Sequence, residues 1–194
     1  GNQVVCHNAS TSLVTFATLN TIGTTTYNWV NDNTAIGLAA SGTGDINPFT
    51  AINTGLSPVT ANITVTPFFT HNGVTCQGPV KIFTITVNPT GHVEQPNSQV
   101  VCNGASTTAI GFTTTNTVGT TTYEWTNSDP TIGLAATSGT GTITSFMASN
   151  TGTSPKVATI EVTPTFENGG IYCEGISKIF TITANPTGQV NQPP

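Results

Sequence analysis

Along the chain, apolar and polar residues alternate in short runs. In Ala61–Thr66 (ANITVT), Ala61, Ile63 and Val65 fall on one face. Phe83, Ile85 and Val87 alternate with Thr84 and Thr86, and Tyr27 and Trp29 share a face opposite Thr26 and Asn28. A period of two in runs rich in Thr, Val and Ile, broken by Gly, Asn and Pro, predicts strands. No stretch sustains the 3.6-residue period of a capped helix. The pattern also repeats. QVVC at Gln3–Cys6 returns at Gln99–Cys102, TTTY-x-W at Thr24–Trp29 returns at Thr120–Trp125, and IGLAA at Ile36–Ala40 returns at Ile132–Ala136, all 96 residues on. One inserted residue near Thr137 shifts the offset to 97, at which SGTG (Ser41–Gly44), KIFTIT (Lys81–Thr86) and NPTG (Asn88–Gly91) reappear.

A duplication of this length, with some seven short strands per copy, predicts an all-β chain. We expect two tandem immunoglobulin-like β-sandwich domains, 1–92 and 93–194, arranged end to end. The tail Gln189–Pro194 (QVNQPP) repeats the phase of the junction His92–Asn97, so a further copy is expected to follow it. Pro89 and Pro96 in the stretch Asn88–Asn97 restrain the backbone and suggest a semi-rigid hinge.

Composition then narrows the function. Among 194 residues there are 42 Thr but only 3 Lys or Arg, none of them Arg, and 8 Asp or Glu, for a net charge of −5. Without a basic patch, nucleic acid is not an expected partner. No apolar run reaches the ~20 residues that span a bilayer, so this segment is not expected to insert in a membrane. Thr, β-branched and hydroxylated, suits a solvated pleated surface and lets a chain of so few charges stay wet.

Each copy has two cysteines, Cys6 with Cys76 and Cys102 with Cys173. Pairing within each copy is the simplest of three connectivities, and disulfides imply an oxidising compartment, secreted or at a cell surface. Zinc is disfavoured because no CxxC spacing occurs and no His recurs in both copies. His7, His71 and His92 face Asn103, Asn168 and Gln189, and Asp32, Asp45 and Glu161 face Ser128, Thr142 and Thr64. A carboxylate pair or a catalytic triad would therefore exist in one copy only, so no catalytic residue, cofactor or metal site is assigned. SGTG and TGxSP (Thr54–Pro58, Thr151–Pro155) lack the Lys of a phosphate loop and read as turns. Lys81 and Lys178, the one matched pair of charges, fall in phase with inward positions and are expected to snorkel to the rim.

The aromatics Tyr27, Trp29, Tyr123 and Trp125 recur and are expected in the core, as are Phe16, Phe49, Phe69 and Phe83. Phe68 faces Thr165 and Tyr172 faces Thr75, which makes these two rings the candidate exposed contacts.

Taken in order, the early Cys (Cys6, Cys102), Tyr-x-Trp (Tyr27–Trp29, Tyr123–Trp125), IGL, SGTG-x-I, VTP (Val65–Pro67, Val162–Pro164), C-x-G and the closing T-[VA]-NP resemble a known family. It is the PKD-like repeats of large surface proteins in Bacteroidota, in a disulfide-bearing subclass. The standard W-x-F-G-D is absent, since Val30-Asn31-Asp32 follows Trp29 and Thr126-Asn127-Ser128 follows Trp125. The resemblance implies a non-catalytic stalk of a cell-surface adhesin serving attachment and gliding, with neighbouring repeats and surface polysaccharide or substratum as partners. The competing expectation is a carbohydrate-binding module of a secreted protein, for which each copy offers about one exposed ring.

Overall fold

The computed structural model describes residues 1–192; Pro193 and Pro194, which close the repeated QVNQPP segment, lie outside the described residues. The chain is all-β, two tandem immunoglobulin-like β-sandwiches. In the first copy the strands are β1 (Gln3–Cys6), β2 (Thr24–Asn31), β3 (Ser41–Thr43), β4 (Val59–His71), β5 (Val74–Gln77) and β6 (Lys81–Asn88). They form one sheet in the order β1-β6-β4-β2-β3, with β5 also on β4. β1 runs parallel to β6 and the other pairs are antiparallel. The second copy repeats this with β7 (Gln99–Cys102), β8 (Thr120–Asn127), β9 (Ser138–Thr140), β10 (Lys156–Asn168), β11 (Ile171–Glu174) and β12 (Lys178–Asn185).

Six strands per copy, rather than about seven, form regular ladders, because the opposing layer is irregular. It consists of the segments joining β1 to β2 and β3 to β4, tied by the single bridges Ser10–Thr50 and Val14–Ile46. Between these bridges backbone and side chain share the pairing: the Thr11 N–H donates to the Phe49 carbonyl at 2.9 Å, and the Thr11 hydroxyl accepts the Phe49 N–H at 3.0 Å. The core lies between sheet and layer. Ala61, Ile63, Ile85 and Val87 from the sheet are fully buried against Ile36, Ile46 and Ala51. On the outer face, Thr60 pairs with Thr86 and Thr70 with Thr75, hydroxyl to hydroxyl at 2.9 Å, across adjacent strands.

Gly42 has a role that its SGTG motif did not suggest. It sits directly opposite Trp29 in the β2–β3 ladder, and a Cβ there would overlap the indole. Gly139 stands under Trp125 in the same way. Only Gly44 and Gly141, with φ of 68° and 62°, serve the turn itself. Gly42→Ala should therefore overpack the core and destabilise unit 1 by ~1–3 kcal/mol in denaturant unfolding. Unchanged stability would contradict this packing.

Contacts divide the chain into two compact units that are not contiguous in sequence. Unit 1 comprises Gly1–Thr90, Thr117–Gly119 and Glu167–Cys173; unit 2 comprises Gly91–Asn116, Thr120–Phe166 and Glu174–Pro194. The division therefore falls at 90/91, not at 92/93, and unit 1 takes in the hairpin tip of the second sequence copy. Hydrogen bonds explain that inclusion. The Asn88 amide donates to the Asn168 carbonyl at 2.8 Å and accepts from the Asn168 side chain at 2.9 Å, while Thr117 N–H donates to the Leu56 carbonyl.

Within the junction Asn88–Asn97, the residues from Gly91 onward belong to unit 2. Val93 is 1% exposed and belongs to the core of unit 2, and the Glu94 N–H donates to the Thr113 carbonyl at 2.9 Å.

Candidate functional site

The disulfide joins Cys6 to Cys173, and Cys76 and Cys102 are free, exposed thiols. The expected links Cys6–Cys76 and Cys102–Cys173 do not form, and strand register gives the reason. Cys6 lies beside Asn88 on β6, whose neighbour Val87 faces Val59 on β4; Cys76 faces Phe69 on the same strand. Positions 59 and 69 of an extended strand are separated by ~33 Å. The two cysteines of one copy thus sit at opposite ends of its sheet, far beyond the ~7 Å limit for a disulfide. Cys173, on the hairpin tip that unit 1 takes in, is within reach.

Trp29 and Trp125 are 7% and 6% exposed, and Tyr27 and Tyr123 pack against the same cores half-buried. Phe16 meets Tyr27 with ring centroids 5.4 Å apart, and Phe112 meets Tyr123 at 5.5 Å. Burial pushes the Tyr123 hydroxyl above its ordinary value. Of the two candidate surface rings, Tyr172 is 72% exposed. Phe68 is half-buried, held between Thr26 on β2 and Gln77 on β5, which corrects the expectation that it is a free contact. The two rings stand on different hairpins. Lys81 is exposed, and Lys178 half-buried.

Polar residues that differ between the copies have structural tasks. His7 Nδ1 accepts the Asn53 N–H at 3.0 Å, and Asn103 Oδ1 does the same for Asn150 at 2.8 Å. Asp32 accepts from the Asn62 side chain and backbone N–H, both at 2.7 Å, where Ser128 accepts from Thr159 N–H at 2.8 Å. Asp45 accepts the Phe16 N–H at 2.9 Å. Buried asparagines escaped the sequence reading although they recur. Asn53 donates to the Ser57 and Val87 carbonyls at 2.9 and 2.7 Å, and Asn150 to those of Ser154 and Ala184 at 2.9 and 2.6 Å. Among the described residues, no group of three or more His, Cys, Asp or Glu is placed to hold a metal ion. Nor, among the described residues, is any helix long and apolar enough to cross a membrane.

Two carboxyls are held below the ordinary range, Asp32 by the Asn62 side-chain bond foremost and Asp129 by the Thr131 hydroxyl. A carboxyl depressed on folding stabilises fully above its unfolded value of about 3.9 and ceases to do so as pH falls through the folded value. Asp32 is exposed and Asp129 no more than half-buried, so the effect is small. The thermal midpoint should be flat above about pH 5 and fall below about pH 4, with Asp32→Asn removing part of the fall. An acid-insensitive midpoint would count against these caps.

A concavity in unit 1 lies at the β5 end of its sheet. It measures about 790 Å³ and is lined by Val14, Phe16, Tyr27, Pro67, Phe69 and Phe83, with Cys76 at its edge. In unit 2, Val93 belongs to the buried cluster that also holds Ile110, Val162 and Phe180, the counterparts of Val14, Val65 and Phe83.

No protein-family model matches the chain, and no curated protein matches it. Among solved structures it is similar to the zebrafish RET cadherin-like domains 1 to 4, at 11% identity and a TM-score of 0.31. The match covers 84% of this chain and 41% of that one, so the chain spans less than half of that structure's length.

Proposed function

We propose that the chain is a non-catalytic structural segment, a stalk or filament piece, of a large repetitive cell-surface adhesin. The observation that supports this best is the Cys6–Cys173 disulfide, which ties the first strand of one sequence copy to the hairpin of the other across 167 residues. A covalent tie between tandem copies suits a part that transmits pull. It also suits an extracellular setting, where disulfides persist. The finer reading is a PKD-like repeat of Bacteroidota, resembling the gliding-motility adhesin SprB and exported by type IX secretion, with surface polysaccharide or substratum as the far partner.

Deleting the coding segment in cells that carry it should abolish attachment and gliding while leaving secreted hydrolytic activities unchanged. Normal attachment and gliding would overturn the proposal. Retention on polysaccharide that is lost with Tyr172→Ala would favour the carbohydrate-module reading instead.

A further inference from the structure

The two sequence copies are in different states at matching positions. In unit 2, Gly91 and Val93 are buried, and Val93 shares one core cluster with Ile110, Val162 and Phe180. His92 N–H donates to Asn116 Oδ1 at 2.6 Å, and Glu94 N–H to the Thr113 carbonyl. Gly91 lies so close to the backbone of Pro164 and Gly175 that a side chain there would collide. Every acceptor in that set has a counterpart in unit 1. Val14, Val65 and Phe83 match Ile110, Val162 and Phe180; Ala17 and Asn20 match Thr113 and Asn116; Pro67 and Gly78 match Pro164 and Gly175. All of these line the 790 Å³ cavity.

The donor has a counterpart as well. Gly188, Gln189, Val190 and Asn191 match Gly91 to Glu94. Val190 is 91% exposed, and no atom lies where a side chain on Gly188 would reach. The thiols follow the same logic. Cys6 lies beside Asn88, three residues before Gly91, and is bonded to the hairpin cysteine Cys173. Its match Cys102 lies beside Asn185, three residues before Gly188, and is free, as is Cys76, the match of Cys173.

We propose that the apolar cavity of unit 1 is the acceptor for Gly188–Asn191 of a second copy of this chain, and that Cys102 of that copy closes a disulfide with Cys76 at the cavity's edge. Val190 fills the space between Val14, Tyr27 and Phe83. The Gln189 and Asn191 N–H groups donate to Asn20 Oδ1 and the Ala17 carbonyl. The bond forms by exchange with a small-molecule disulfide. One protein thiolate attacks the reagent and expels one reagent thiol; the other attacks the resulting mixed disulfide, forms the Cys76–Cys102 bond and expels the second. The two protons lost by the protein leave on the two reagent thiols. Because acceptor and donor lie on one chain, the contact is head to tail and can propagate from copy to copy. The inference stands on these matched positions and does not depend on the adhesin reading.

The test treats the purified chain with oxidised glutathione and follows it by non-reducing electrophoresis and peptide mapping. The expected result is a ladder of oligomers joined by Cys76–Cys102. Cys76→Ser or Cys102→Ser should abolish it. Val190→Asp, at a site exposed in the monomer, should slow the ladder at least about tenfold, as loss of a buried Val implies. A synthetic Asn185–Gln192 peptide should compete. No ladder, symmetric Cys76–Cys76 and Cys102–Cys102 links as frequent as the mixed one, or a Val190→Asp chain that polymerises at the unsubstituted rate would each overturn the proposal.

Discussion

Pulled by its two ends, the oxidised chain should unfold without lengthening by more than the residues outside the Cys6–Cys173 loop. The loop spans 167 residues. At ~3.3–3.6 Å per extended residue, reduction should release roughly 550–600 Å of hidden contour. The core of unit 1 lies inside this loop, whereas Phe180, Ile182 and Ala184 of the unit 2 core stand on β12, beyond Cys173; force applied at the ends therefore passes through the sulfur–sulfur bond, sparing unit 1 and loading β12 directly. Had the disulfides closed within each copy, the oxidised chain would have yielded partial extensions, one copy at a time. A single-molecule record with and without reductant separates the two outcomes. In bulk, a closed loop of this length is worth about 5 kcal/mol on the chain-entropy account, so reduction should also lower the unfolding midpoint of unit 1.

Trp29→Ala and Trp125→Ala should each cost ~3–5 kcal/mol, the range for truncating a buried large aromatic. Each indole lies over a glycine of the adjacent strand, where no neighbour can collapse into the space left. For a domain near 100 residues that loss lowers the melting temperature by more than about 12 °C. Neither indole N–H finds a hydrogen-bond partner among the described residues. Trp→Phe should accordingly be much milder than Trp→Ala, since it keeps most of the ring and removes a buried donor. Equal losses for Phe and Ala would show that the N–H is satisfied and that the ring's packing is secondary.

The strands and their inward faces were legible because alternation in ANITVT and KIFTIT maps directly onto burial: Ala61, Ile63 and Ile85 are fully buried. The cysteine pairing was not. Equivalence of two copies permits a link within each copy, but equally a link from one copy to the next, and only strand polarity separates these. Cys76 and Asn88 lie along one edge of β4, twelve residues apart in sequence, with Cys6 beside Asn88. A register drawn from the hairpin at Asn72–Gly73 would have shown that distance. Val93 was hidden for a different reason. A lone Val between Gly91 and Pro96 has no periodicity, so nothing in the sequence marks it as core. Phe68 and Phe69 have opposite parity, yet both are half-buried, because β5 covers the edge on which they stand.

The claim on which the rest depends is that the covalent tie runs from one sequence copy to the other. Non-reducing peptide mapping of the monomeric chain, with free thiols alkylated before digestion, reads it directly. The account predicts one linked pair, Cys6–Cys173, with Cys76 and Cys102 both carrying the alkyl label. Recovery of Cys6–Cys76 and Cys102–Cys173 instead would contradict it.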